Sequence, residues 1–204
     1  SLSQVVLKIA APGVPDFYQG TELLSFHLVD PDNRGPVDYG MRSAMAEEFR
    51  ETMKRLGPDR AEFTRALFEQ AHDGRAKLYT IMAGLDYRRL HPELFQQGEY
   101  VQLECGGSRK QHVCAFARLY QHQALVAVVP RLVATLTPDT KLPPMGPTVW
   151  EDSWITAPPW HTLGEFRHLL TGEIISAESL NGRRVLPLAR VLNHAPIALL
   201  ERIS

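Results

Sequence analysis

Cysteine is scarce in this chain: two among 204 residues, Cys105 and Cys114. That is too few for a disulfide scaffold, and both are expected to be small buried hydrophobes rather than a disulfide or redox pair. No run approaches the roughly 18 apolar residues of a membrane span, and no secretory leader opens the chain at Ser1. No Asn lies in an Asn-x-Ser/Thr sequon, so nothing points to a secreted glycoprotein. Charge of either sign is not in excess, with a formal net charge of −1 and a pI near 6.7, which leaves no electrostatic footprint for nucleic acid or an anionic membrane. The eight histidines are scattered and the Cys-His pairs lack zinc-finger spacing, so no metal is assigned. A nucleophile elbow Gly-x-Ser-x-Gly and a phosphate-cradling Gly-rich loop are both missing. These absences predict a cytoplasmic protein without a nucleic-acid partner or a membrane partner.

What is present is an ordinary globular composition, 44% hydrophobic and 22% charged, long enough for one domain or two small ones. The first half reads as helical. Leu2, Val5, Val6 and Ile9 have helical spacing over Leu2 to Ala10, ending at Pro12-Gly13. Met41, Ala44, Met45, Phe49, Met53 and Leu56 mark an amphipathic helix that stops at Gly57-Pro58. A further helix is expected from Asp59 to Ala71. Another follows a cap at Asp73, with Leu78, Ile81, Met82 and Leu85 on one face until His91-Pro92.

After Gly98 the signals turn to strand. Tyr100 to Glu104, His112 to Arg118 and Leu125 to Arg131 read as a meander, the first pair joined at Gly106-Gly107. Thr137 to Pro147 holds four prolines and reads as an extended surface connection. Later strands are expected around Thr148 to Thr156, Arg167 to Leu170, Val185 to Leu188 and Ile197 to Arg202. Trp150, Trp154 and Trp160 cluster in this region, where core packing competes with a sugar-stacking surface. The Arg88-Arg89 and Arg183-Arg184 pairs are expected on solvated surface or at helix and turn ends.

The densest chemistry lies near the N-terminus. Ala11-Pro-Gly-Val-Pro-Asp-Phe-Tyr-Gln-Gly-Thr-Glu22 suits a short strand, around Asp16 to Gln19, entered from a tight turn and left at a glycine. Val29-Asp-Pro-Asp-Asn-Arg34 and Pro36-Val-Asp-Tyr39 follow, with more carboxylate, amide and guanidinium than a simple connection requires. Asp32, Asn33 and Arg34 are equally good turn and charge-neutralising residues.

This pattern resembles the α-amylase family, glycoside hydrolase family 13, near the eighth strand of its catalytic barrel. The likeness continues through Asp73-Gly-Arg-Ala-Lys-Leu78, Arg88-Arg-Leu-His-Pro-Glu-Leu-Phe95, His112-Val-Cys-Ala-Phe-Ala-Arg118 and Val128-Val-Pro-Arg-Leu132. Within the family it is similar to the trehalose-forming intramolecular transglucosidases. The resemblance implies an α+β chain: residues 1–95 as the helical end of a (β/α)8 barrel, with its last strand and flanking helices, then residues 96–204 as an antiparallel β-sandwich.

The resemblance also implies the C-terminal portion of a longer enzyme, acting on maltooligosaccharides and converting the reducing-end α-1,4 linkage to an α,α-1,1 linkage. The family's catalytic carboxylates follow earlier strands, and none of their motifs occurs here, so no catalytic residue is assigned and the chain alone is expected to be inactive. Glycosyl transfer of this kind needs only carboxylates and a shaped pocket, so the resemblance implies no organic cofactor. Tyr18, Glu22, Asp32, Asn33, Arg34 and Tyr39 become candidate substrate-binding or supporting residues on the rim of the site. The remaining barrel would be the partner, and its exposed counterface would favour self-association when alone. Two other readings stay open: a noncatalytic carbohydrate-binding or scaffold module, and the corresponding part of another hydrolase or transglycosylase of the family.

Overall fold

The computed structural model describes residues 1–26, 35–138, 142–159 and 164–203. Its helical half contains α1 (Leu2–Ala10), α2 (Tyr39–Leu56), α3 (Ala61–Glu69), α4 (Arg75–Leu90) and α5 (Pro92–Gln96). Helix α1 buries Val5, Val6, Ile9 and Ala10 on one stripe, the face its sequence periodicity specifies. In α2 the Asp38 carboxylate accepts from the Met41 N–H at 2.8 Å, an N-cap. The N-cap of α4 is Gly74 rather than the expected Asp73, whose carboxylate accepts from Arg75 N at 2.9 Å from one residue further out. Helix α5 is an addition to the sequence expectation. Pro92, placed as a stop signal, sits at its first turn, where a missing N–H costs nothing.

Helix α4 lies at the centre of this half. Of the expected stripe Leu78 and Ile81 are buried and Met82 and Leu85 only partly so, while Ala76, Tyr79, Thr80, Ala83, Gly84 and Tyr87 are buried as well. One side meets α1 so closely that a Cβ on Gly84 would stand 2.9 Å from Ile9 Cδ1. Another side forms an aromatic triad, Phe49–Tyr79 at 5.4 Å and Phe63–Tyr79 at 5.9 Å between ring centres. The Tyr79 hydroxyl donates to Leu170 O at 2.7 Å, and Thr64 Oγ1 and Arg60 Nε reach the same carbonyl at 3.0 Å. Three helical side chains thus converge on one carbonyl of the sheet half.

Two antiparallel sheets make up that half. The first has six strands: β1 (Glu99–Gln102), β3 (Val113–Tyr120), β4 (Gln123–Pro130), β10 (Ala198–Arg202), β6 (Glu165–His168) and β7 (Ile174–Ser176), in the spatial order β1-β3-β4-β10-β6-β7. The second has four, β2 (Cys105–Gly106), β5 (Trp154–Thr156), β9 (Arg183–Pro187) and β8 (Glu178–Leu180), in the order β2-β5-β9-β8. Strand β4 is buried on both faces: Leu125, Ala127 and Val129 pack with the helices, Val126 and Val128 with the second sheet. Strand β10 divides likewise, Leu199 toward the helices and Ala198 and Leu200 toward the second sheet. The six-stranded sheet is the middle of three layers, and one residue's step along β4 or β10 moves a side chain from one core to the other.

Several sequence expectations change. No strand forms at Asp16 to Gln19: among the described residues the segment has no pairing neighbour, and a lone extended segment leaves its ladder unpaired. Thr148 to Thr156 is not one strand; Pro147–Trp150 is a helix, α7, and pairing starts at Trp154. Trp150 is the cause, because its ring is completely buried in the inter-sheet core and its indole N–H donates to Pro144 O at 3.0 Å. Gly106-Gly107 does not simply turn β1 into β3, since Cys105 and Gly106 leave to pair with Ile155 and Trp154 of the other sheet. Strands β7 and β8 were hidden by their brevity, three residues each, and helix α8 (Leu188–Val191) by its position directly after β9. Helix α6 (Val133–Leu136) completes the set among the described residues.

Side-chain expectations change too. Cys114 is exposed and Cys105 half-buried, both free, so only Cys105 approaches the packing role. Arg88 is not solvated: it donates to Ile9 O at 2.6 Å and to Gly13 O, with its guanidinium 4.6 Å from the Phe95 ring centre. Arg89 is exposed beside Asp86, as expected. Buried Arg118 of β3 donates to Phe95 O at 2.9 Å and Gly98 O at 2.7 Å, tying the end of α5 to the sheet.

His168 carries a pH-dependent term. It is fully enclosed on β6, its Nδ1 accepts from Leu170 N at 3.2 Å, and burial lowers its pKa to about 3. A folded-state pKa below the usual 6.5 contributes stability that is complete above pH 6.5 and lost as pH falls toward 3. Urea unfolding across that window is expected to show this loss in the wild type. His168→Asn, which keeps an acceptor at the Nδ1 position but does not titrate, is expected to flatten it.

Candidate functional site

The segment between α1 and α2 is held by cations rather than by strand pairing. Lys8 Nζ donates to Asp16 O at 2.8 Å and lies 3.9 Å above the centre of the Phe17 ring. A turn follows, with Thr21 N and Thr21 Oγ1 both donating to Tyr18 O, at 3.0 and 2.6 Å. Beyond it Lys77 of α4 donates to Leu23 O at 3.0 Å. Burial first, and then the charge of Lys8, pull the Lys77 pKa down, while Glu22 opposes them. Gly74 makes this approach possible. Its φ is +83°, and a Cβ there would lie 2.8 Å from Leu24 N.

Arg42 of α2 reaches the segment at two places, Gly20 to Glu22 and Asp38. Its Nε donates to Glu22 Oε2, Nη2 to Gly20 O and Nη1 to Asp38 O, each at 3.0 Å. The Tyr39 hydroxyl makes a second link, 3.1 Å from Gln19 Oε1. Gln19, Gly20, Asp38 and Arg42 border a cleft of about 560 Å³ whose lining also includes Phe26 and Val37, while Glu22 and Tyr39 stand outside that lining. A second cleft, about 370 Å³, is lined by Lys8, Asp16, Phe17, Tyr18, Thr21 and Lys77. Both are large enough for a small polar ligand, and their mixture of carbonyls, cations and aromatic rings suits hydroxyl-rich chemistry.

Of the sequence-derived candidates, Glu22 is joined to Arg42, so its carboxylate already has a partner. Tyr18 and Tyr39 are both half-exposed, but Tyr18 lines the second cleft and Tyr39 neither. Asp32, Asn33 and Arg34 lie outside the described residues. Sequence reasoning passed over Arg42, Lys77 and Gln19. Arg42 and Lys77 stand at ordinary solvent-facing positions of helical patterns, and their partners are 20 and 54 residues away in sequence. The tryptophan platform loses its first member to the core with Trp150, Trp154 is half-buried against Gly106, and Trp160 lies outside the described residues. Among the described residues no three His, Cys, Asp or Glu side chains group to hold a metal, and no helix is long and apolar enough to cross a membrane.

Comparison with known proteins bears on the fold. No family model matches the chain. Its fold is that found in α-amylase-family enzymes: a maltogenic α-amylase of Thermotoga neapolitana superposes on 100% of the chain and 36% of its own length, with a TM-score of 0.59 at 10% identity. More specific is the likeness to maltooligosyltrehalose synthases. A mutant of the Arthrobacter ramosus enzyme covers 99% of the chain with a TM-score of 0.71 and 26% identity, over 22% of that enzyme. A putative maltooligosyl trehalose synthase of Mycobacterium tuberculosis is 38% identical over 118 residues, 58% of this chain. The chain matches only 12% of the length of that curated relative.

The Gly74 constraint is testable. Gly74→Ala adds a Cβ at a left-handed φ against the Leu24 backbone and is expected to cost about 1–3 kcal/mol. Thermal unfolding of the purified chain should show a melting temperature lower by several degrees.

Proposed function

We propose that this chain is the C-terminal portion of a trehalose-forming enzyme, a (1→4)-α-D-glucan 1-α-D-glucosylmutase of the α-amylase family. The observation that carries the reading is the combination of 38% identity to one such synthase and 99% structural coverage by another. Residues 1–95 are then the last part of the catalytic barrel and residues 96–204 a β-sandwich appended to it. The protein is placed in the cytoplasm. Maltooligosaccharide is the substrate, and the partner of the helical half is the rest of the barrel.

Transfer with retention requires a carboxylate nucleophile about 5–5.5 Å from a carboxylic acid, so that a covalent glycosyl-enzyme forms and is then resolved. Both carboxylates belong to the upstream barrel in this reading, and the isolated chain is inactive. The nucleophile displaces the terminal glucose, the acid protonates the departing oxygen, and the same glucose returns with its anomeric hydroxyl to attack the glycosyl-enzyme. The product keeps every glucosyl unit and has no reducing end. Water competes for the same intermediate, so the released glucose must be retained in a closed pocket. Tyr18, Glu22, Asp32, Asn33, Arg34 and Tyr39 are proposed to line or support the rim of that pocket.

The test is to follow reducing ends during incubation with maltopentaose, using the product of the complete gene beside the isolated chain. Reducing ends should disappear with the complete protein alone. Their increase would identify a hydrolase, and their loss with the isolated chain would mean that the catalytic residues lie within these 204 positions.

A further inference from the structure

Three features of Arg42 bear on the cleft beside it. First, its three donor atoms serve three different acceptors, Glu22 Oε2, Gly20 O and Asp38 O. Those acceptors lie on both arms of the segment that joins α1 to α2. Second, Gly20, Asp38 and Arg42 itself line one cleft, so two of the three bonds lie in its wall, and the third holds Glu22 just behind it. Third, Arg42 and Glu22 are mostly shielded, at 17% and 26% side-chain exposure, where a charge-assisted pair is screened less than an open surface pair.

Helix α2 does not depend on these bonds. Its first turn is capped by the Asp38 side chain and its packing is anchored by Phe49, which is fully buried beside Tyr79. The neighbouring link from Tyr39 to Gln19 is exposed and uncharged. From the other side Lys77 holds Leu23 O, so the stretch from Gly20 to Leu23 is gripped between a guanidinium of α2 and an ammonium of α4. A planar guanidinium can satisfy three acceptors in fixed directions, which an ammonium on a flexible stem cannot reproduce.

We propose that Arg42 is a positioning residue for the transfer reaction. It fixes Glu22 and Gly20 on one arm and Asp38 on the other, so that the cleft keeps the shape that retains the released glucose. This rests on the function proposed above. Arg42 need not touch sugar. Its effect passes through the cleft wall, and its loss loosens the pocket, weakens substrate binding and admits water to the glycosyl-enzyme.

The experiment uses the product of the complete gene with maltopentaose, measuring both loss of reducing ends and free glucose released by hydrolysis. Arg42→Ala is expected to raise KM about tenfold and to increase the fraction of turnovers ending in free glucose. Glu22→Gln, an isosteric change, should move both quantities in the same direction by less, and Arg42→Lys should recover part of the loss. Arg42→Ala with wild-type KM and wild-type glucose release overturns the inference, as does a lower melting temperature with unchanged kinetics. If Arg42→Ala does not fold, Glu22→Gln decides by the same two readouts. A wild-type protein that forms no non-reducing product overturns the functional reading and the inference together, and the wild-type trace alone distinguishes that result.

Discussion

Burial of β4 and β10 on both faces is the constraint from which the rest of the structure follows. Strands of this kind cannot alternate apolar and polar residues, and Ala124 to Val129 is accordingly one unbroken apolar run, all of it buried. Each fully buried Leu or Val contributes about 1.5–3 kcal/mol relative to exposure, and these strands offer that stabilisation to two layers at once. The helical layer and the second sheet therefore share a common plate. Helix α4 lies against it through Leu199 and locks to its edge by the Tyr79 bond to Leu170 O.

That packing also fixes the candidate site. Lys77 and Gly74 belong to α4, and Lys8 to α1, which crosses α4 at Gly84. The segment from Asp16 to Leu23 has no strand pairing of its own and takes its course from these helices. Leu23 within it is buried, whereas Val14 and Phe26 on either side are 94% and 84% exposed. Under the proposed function these two side chains are where the rest of the barrel would pack; the chain matches about one-fifth of the Arthrobacter ramosus enzyme.

Much of the helical half was legible in the sequence because its signals are local. The bounds of α1 follow from apolar spacing and Pro12-Gly13, and the end of α2 from Gly57, whose φ is +56°. The meander of β1, β3 and β4 was legible from its apolar runs. What failed depends on distant partners. Asp16 to Gln19 has strand-like composition but no neighbour among the described residues to pair with, and Trp150 turns a strand-like stretch into a helix because the inter-sheet core receives its ring. At the candidate site the residue types drew attention to the segment between α1 and α2, while the grip on it from Arg42 and Lys77 could not be read. Nothing in a helical pattern tells which exposed-looking cation has an acceptor 20 or 54 residues away.

The central claim is that residues 1–95 complete a barrel supplied by the rest of a longer enzyme. Amide hydrogen exchange, compared peptide by peptide between this chain alone and the same residues within the complete gene product, tests it most directly. The account predicts equal protection of β4 and β10 in the two samples and a large gain in protection over residues 11–26 in the complete protein. Equal exchange of residues 11–26 in both would contradict it.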